Sequence, residues 1–388
     1  MTPAIRRREV PMNHSPLLSF QQRFSFTNTK LVLVSAVGGE WELPTFYDPS
    51  GAWAEYDAAT QPGGAGLADR SWRSVLRVRG RDRLTFLQGM VSQDVASLAP
   101  GQGAHAALLD STGHILADLR IHATEDAVLI DADPRCAARA AELLDKYLIM
   151  EKAVVEDVTD QWGILSVIGP GARALLEKTY SLTLPNDLAV LGHAPLTIGG
   201  GPGLIVRHPL GDVAAYDVWA PRASLVTVWE ELTKSGAVPV GEQALEMLRV
   251  EAAIPAWGSE LDPAVLLPEA EMADAVSYSK GCYVGQEIVA RIHARGHTNK
   301  ALRSVLFGDD ARPAAGDLIY DVSGESEIGR VTSAALSPRF GGRALTLAYV
   351  RKEHFDPGSE VAVRNGHGEL LSAKIVAPPF SELTHETV

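Results

Sequence analysis

The segment Lys280-Gly281-Cys282-Tyr283-Val284-Gly285-Gln286-Glu287 gathers an amine, a thiol, an amide and a carboxyl within eight residues. Val284, Ile288, Val289 and Ile292 follow helical spacing and Gly296 is a stop signal, which predicts a helix beginning near Cys282. A thiol at a helix N-terminus meets unpaired backbone N–H groups and the positive end of the dipole, and Lys280 adds a second positive charge, so a reactive thiolate is the expectation. The other reading of Cys282 is a small buried filler, a common fate of free cysteines. The flanking Lys, Gly, Gln and Glu favour function. Cys136, with only Arg135 beside it, reads as structural, and spacing gives no ground for pairing it with Cys282.

Three other groups invite chemistry. His293 and His297 lie four apart and close to Cys282, which suggests mixed metal ligands, but Gly296 breaks the helix between them and no second ligand-rich cluster accompanies them. No metal site is expected. Asp118 interrupts the apolar run Ile115-Leu116-Ala117-Asp118-Leu119. Such an acid pairs with a cation in a cleft, or occupies the solvent face of an alternating strand, which is the commoner case. Gly199-Gly200-Gly201-Pro202-Gly203 has no following Lys-Ser or Lys-Thr, so it reads as a hairpin loop and not as a phosphate cradle.

These residues need elements to position them. Leu84, Leu87, Met90, Val91 and Val95 recur at helical spacing over 82–98 before Pro100 and Gly101, predicting one amphipathic helix. Short apolar stretches at 106–109, 114–122 and 127–131, bounded by turn residues, predict a three-strand meander. Asp133 and Pro134 open a helix to about Met150, with Leu143, Leu144, Tyr147 and Leu148 as its buried stripe. The pattern restarts with strands at 164–168, 204–207 and 215–219 and helices at 171–178, 222–235 and 242–251, so two α+β halves are implied. After Thr298, short strands separated by Gly, Pro and Asp predict a small β-barrel or sandwich.

Composition narrows the function classes. A chain of 388 residues suggests two or three cooperating modules, and 46% hydrophobic with 21% charged residues is an ordinary globular balance. The formal charge of −13 disfavours direct contact with nucleic acid or anionic lipid, though a local pocket for a small anion is compatible with it. Two cysteines are too few for a disulfide framework, a four-cysteine zinc site or an iron–sulfur cluster held by this chain alone, and they fit a reducing compartment. The longest apolar run, 31–38, falls far short of the roughly 20 residues of a membrane span. Residues 1–28 carry Arg6, Arg7, Arg8 and Arg23 against the single acid Glu9, the composition of an organellar transit peptide. Without an amphipathic arginine face, a disordered extension or a true start at Met12 is favoured, and a cytoplasmic protein is expected.

The run Leu248-Arg249-Val250-Glu251 through Pro255, Gly258, Glu260 and Leu261, then Pro268-Glu269 and the 280–287 block, resembles the signature of the YgfZ group of the glycine-cleavage T-protein superfamily. Looser likeness covers 66–71, 86–95, 110–119 and 329–338, so the resemblance spans roughly residues 45–380. It implies an α+β fold of three modules in a ring around a central folate cavity. The modules would be a 1–40 extension, disordered at least to residue 28, folate-binding α+β modules over 41–300, a C-terminal β-barrel over 301–380 and a tail over 381–388. The resemblance implies tetrahydrofolate or a derivative as ligand, and iron–sulfur proteins or their assembly machinery as partners. Effects on tRNA modification would then be indirect. Within the matching block, Cys282 would be the key thiol, with Lys280, Gln286 and Glu287 beside it in the chemistry. Asp118, Arg249, Glu251, Glu260, Tyr283 and Gly285 would hold the folate. The aminomethyltransferases of the superfamily carry paired acids where this chain has Ala117-Asp118, and a Gly-Glu-Asp-Gly segment of which Gly211-Asp212 keeps part. Aminomethyl transfer is therefore the alternative to an iron–sulfur accessory role, and a folate-regulated binding module with a structural thiol is the third reading.

Overall fold

The computed structural model describes residues 31–36, 39–48, 50–377 and 379–380, together with Leu17. The expectation of disorder up to residue 28 lies outside the described residues except for Leu17, whose side chain is buried in a core cluster. Across the end of the stretch read as a 1–40 extension, β1 (Leu31–Ala36) and β2 (Gly39–Pro44) pair as an antiparallel hairpin. The next elements are α1 (Ala52–Thr60), β3 (Gly66–Asp69), β4 (Ser74–Arg79), α2 (Arg83–Met90), β5 (Gly103–Leu109), β6 (Ile115–Ala123), β7 (Ala127–Ala132) and α3 (Pro134–Tyr147). A second run gives β8 (Val154–Asp157), β9 (Trp162–Ile168), α4 (Ala172–Tyr180), β10 (His193–Ile198), β11 (Gly201–Arg207), β12 (Ala215–Pro221), α5 (Leu225–Lys234), β13 (Val238–Pro239) and α6 (Glu242–Glu251).

Local chemistry accounts for the boundaries. The Asp133 carboxylate accepts the Arg135 N–H and Pro134 occupies the first turn of α3, as the capping pattern predicts. Leu143 and Leu144 are buried, but the helix stops at Tyr147, which is exposed, so its burial was misread. The helix predicted over 82–98 is also shorter and ends at Met90. Val91 bridges to Leu108 and the Ser92 N–H bonds to the Ala107 carbonyl, while Gln88 Oε1 accepts the N–H groups of Val95 and Ala96. Val91 and Val95 are still buried, so their apolar spacing recorded burial and not a continuous helix. Between β10 and β11, Gly199 and Gly200 take positive φ in a two-residue hairpin turn, which glycine permits without steric cost.

Two sheets carry these halves. The five-stranded sheet has the order β5-β6-β7-β4-β8 and is antiparallel throughout. The six-stranded sheet, β10-β11-β12-β9-β3-β13, is antiparallel except where β13 lies parallel to β3. Alternate side chains point to opposite faces of a strand. Ala117, Leu119, Ile121, Val128 and Ile130 therefore pack under α2 and α3, while Val75 and Leu129 on the other face meet Ile164, Leu204, Val206 and Trp219 of the second sheet. Helices α4 and α5 cover that sheet's outer face. Between the sheets, Asp131 is paired with Arg73 and Arg120, and Asp217 with His208 and Ser166, so the buried charges there are met by partners.

After α6 comes an irregular stretch, then α7 (Gln286–Arg295), then a closed barrel of β14 (Lys300–Phe307), β15 (Leu318–Tyr320), β16 (Glu327–Ser337), β17 (Arg343–Arg351), β18 (Glu360–Arg364) and β19 (Leu370–Val376) in the order β14-β17-β16-β15-β18-β19. Its interior is filled by Val305, Ile319, Val331, Val350, Val363 and Ile375, while Leu302, Leu306, Leu345 and Leu347 form an outer wall against Val250 of α6. The fold is thus the expected α+β arrangement with a C-terminal barrel. Among the described residues no helix is long and apolar enough to cross a membrane.

Candidate functional site

The five-stranded sheet, the loop after α6, the 270–274 stretch and the outer wall of the barrel surround a cavity of about 290 Å3. The β5–β6 hairpin turns at Asp110–Gly113 and its register sets Ala107 opposite Asp118 and His105 opposite Arg120. Residues two apart share a face, so His105, Asp118 and Arg120 all line the cavity. Ala117 points the other way, fully buried in the cluster under the helices.

His105 is gripped from both sides. Its Nε2 lies 2.6 Å from Asp118 Oδ1 and its Nδ1 lies 2.9 Å from Asp274 Oδ2. Burial opposes charge on the ring, but the two carboxylates outweigh it and push the imidazole up to about 10. For Asp118, burial alone would raise the pKa, and His105 with Arg120 and Arg73 behind it reverses this and holds the carboxyl below its usual range. Arg120 is anchored in turn, with Nη1 3.6 Å from Asp131 Oδ2 and 3.1 Å from His208 Nδ1. Pro209, Ile254, Met272, Leu302 and Leu347 supply the apolar wall. Arg303 closes one side, donating to Glu271 at 2.8 Å and stacking on Phe355.

Of the residues given a site role from sequence, Asp118 is the one found among those lining this cavity, which Pro255 of the signature run also borders. Cys282 is exposed and sits in the loop before α7, which begins at Gln286 with Gly285 as its N-cap. The expected placement at the helix N-terminus is therefore corrected: Gly285 takes φ +83 and turns the chain there, so the helix starts four residues later than Cys282. Nor is Lys280 free to assist. Its ammonium donates to the carbonyls of Val91 and Gln93 at 2.7 and 2.8 Å, lies over the ring of buried Tyr283, and is lowered by burial to about 8. Glu287 is exposed and paired with Arg291. Gln286 occupies the first position of α7.

Arg249, Glu251 and Glu260 tie α6 to its neighbours. Arg249 donates to the Ile254 carbonyl at 2.6 Å, to Glu260 at 3.0 Å and to Ser333 of the barrel at 2.6 Å. Glu251 accepts from Tyr56 Oη at 2.7 Å and from Ser337 Oγ. Among the described residues no group of three or more His, Cys, Asp or Glu is arranged to hold a metal ion, and His293 stacks on Tyr278 with ring centroids 3.8 Å apart.

His105, Arg120 and Asp274 were missed from sequence. Counting back from the 110–113 turn sets His105 opposite Leu119, on the wrong face; a bulge at Leu108/Leu109, which the sequence does not announce, shifts the register by one and brings Arg120 opposite His105. Asp274 lies in an irregular stretch whose sequence carries no periodic signal.

Two α+β halves and a barrel closed over a cavity of mixed polarity define a protein built to enclose a small molecule. The family model described as the GCVT N-terminal domain matches residues 29–280, and that of the glycine cleavage T-protein C-terminal barrel domain matches residues 300–382. The chain belongs to the glycine-cleavage T-protein family, whose members bind tetrahydrofolate. An aminomethyltransferase of Thermosynechococcus vestitus is 28% identical over 342 residues, covering 88% of this chain and 90% of the relative. One from Rubrobacter xylanophilus is 29% identical over 345 residues, 88% of each chain. The crystal structure of glycine cleavage system aminomethyltransferase T from Bartonella henselae matches with a TM-score of 0.83 over 95% of this chain and 97% of that one, at 23% identity, a likeness of fold alone.

Proposed function

We propose that the chain binds a reduced folate in the central cavity and takes part there in one-carbon transfer of the aminomethyltransferase kind, with Asp118 as the group that meets the ligand's reacting nitrogens. The observation that carries this reading is the Asp118 carboxylate, held ionised on the wall of a cavity that also offers an apolar face of Ile254, Met272, Leu302 and Leu347. The lining suits the ligand: Met272, Leu302 and Leu347 offer flat apolar contact, Asp118 offers an acceptor to an N–H edge, and Ser304 Oγ on the cavity floor is buried without a partner. When bound, tetrahydrofolate supplies nitrogens that accept and release a one-carbon unit. Asp118 would hold or take up a proton at those nitrogens, Arg120 would keep the carboxyl ionised between steps, and the apolar wall would exclude water. Nor does alanine at position 117 weigh against transfer. An acid there would point into the cluster beneath α2 and α3, away from the cavity. Relatives carrying the aminomethyltransferase name over nearly the whole chain support the same reading.

A second reading, an accessory role in assembly or repair of iron–sulfur proteins of the YgfZ kind, is favoured by the exposed free thiol of Cys282 within its 280–287 block. The experiment is an anaerobic calorimetric titration of wild type, Asp118→Asn and Cys282→Ser with tetrahydrofolate, followed by assay of methylene-tetrahydrofolate formed from an aminomethylated lipoyl donor. Transfer is expected from wild type and Cys282→Ser and lost in Asp118→Asn. If no variant transfers, yet wild type restores iron–sulfur enzyme activity in deficient cells and Cys282→Ser does not, the accessory role replaces transfer.

A further inference from the structure

We propose that His105 is the proton reservoir of Asp118 and that Asp274 is the residue that orients it, an inference that rests on the folate reading above. The geometry points to it directly. One imidazole nitrogen faces the carboxylate in the cavity at 2.6 Å, and the other faces a carboxylate on the rim at 2.9 Å. A neutral imidazole has one donor and one acceptor nitrogen, and its partner on one side decides which is which. Asp274 is met by a proton on Nδ1, so Nε2 is the nitrogen left to trade a proton with Asp118. The two carboxylates differ in setting: the Asp118 side chain is 15% exposed and that of Asp274 is 70% exposed. Both border the cavity, and the inner one is the better shielded from solvent.

The exchange balances simply. At rest the ring carries both protons and Asp118 is a carboxylate. The Nε2–H bond breaks, the proton passes to Asp118 Oδ1, and a neutral ring remains with Nδ1–H still on Asp274. Asp118 then gives that proton to a basic nitrogen of the ligand. In the reverse direction Asp118 takes a proton from a ligand ammonium and returns it to Nε2, and nothing is oxidised or reduced. The charges facing the pair set its resting state. Arg120, opposite His105 in the hairpin, and Arg73, behind Asp118, both favour the carboxylate, and Glu271 and Arg303, at one side of the cavity, neutralise each other. The stored proton therefore sits on the ring until a ligand arrives.

The test has two parts. Nitrogen-15 NMR of the full chain, with the His105 signals assigned from His105→Gln, reads ring protonation without any ligand. Both ring nitrogens are expected to stay protonated through neutral pH, and Asp274→Asn and Asp118→Asn are each expected to lower the midpoint by at least about one unit, a tenfold change in proton affinity. Calorimetry with tetrahydrofolate in buffers of different ionisation enthalpy reads the protons exchanged with solvent on binding: wild type, which supplies the proton from its own ring, is expected to show no net exchange, and His105→Gln, which must draw it from solvent, is expected to show proton uptake. A ring that titrates near the ordinary value and ignores Asp274→Asn overturns the role alone. So does a proton exchange unchanged in His105→Gln. Failure of wild type to bind tetrahydrofolate overturns the folate reading and this role with it.

Discussion

Arg249→Met should weaken the fold and leave folate binding intact. The guanidinium side chain is 14% exposed and its partner Glu260 is fully buried. Removing the cation leaves Glu260 with only the Ala256 N–H and the Ser333 hydroxyl as donors. Breaking such a pair costs about 3–5 kcal/mol because a charge is left buried and uncompensated. The half-exposed Glu246 contact adds little. At about 2.1 cal/mol/K of unfolding entropy per residue, 388 residues turn a loss of about 4 kcal/mol into a fall of roughly 5 °C in Tm. The double variant Arg249→Met/Glu260→Gln should recover most of that, since it leaves no unpaired charge. Thermal scans give the Tm, and a tetrahydrofolate titration well below it gives the affinity. An unchanged Tm with binding lost would refute the reasoning, because the guanidinium would then face the ligand.

Gly285→Ala should destabilise by about 2–4 kcal/mol, since left-handed backbone disfavours any Cβ and the added atom would meet the Asp110 carbonyl oxygen at 2.5 Å; a denaturant melt reads the loss. His193 is lowered to about 4 by burial and then by His122, so the folded chain keeps it neutral while the unfolded chain takes up a proton near pH 6.5. Its contribution is whole above that pH and is lost as the pH falls from about 6.5 towards 4, by up to about 3 kcal/mol, and His193→Gln should flatten the stability–pH curve over that window. Iodoacetamide followed by mass spectrometry should label exposed Cys282 in the native chain and buried Cys136 only after denaturation, and equal labelling of both would contradict the structure.

Much of the scaffold was legible because its signals are local. The Asp133-Pro134 cap, the glycine turn at 199–200 and the change to short strands after Thr298 each follow from the conformational limits of a few residues. The 82–98 helix failed where side chains overrode spacing: Gln88 captures backbone donors that a longer helix would have used. The three-residue strand β15 was too short to see. At the site, Asp118 stood out as an acid in an apolar run, but its partners are set by pairing across the hairpin and by a loop more than 150 residues away. Cys282 drew attention by its neighbours' types, yet the turn at Gly285 decides where the helix begins and the inward course of Lys280 decides where the amine goes.

The barrel lends its outside to the cavity and keeps its inside closed. Small barrels commonly hold ligands in the lumen, but here Val305, Val331, Val350 and Ile375 fill it, while Leu302, Ser304 and Leu347 on the adjacent strands look outward onto the ligand space. One module thus presents two surfaces under separate rules. The lumen can be repacked by a designer with only thermal stability at stake, whereas changes on alternate positions of the same two strands would retune which ligand fits. A library restricted to the outward positions of β14 and β17 would search binding preference while sparing the barrel's own core.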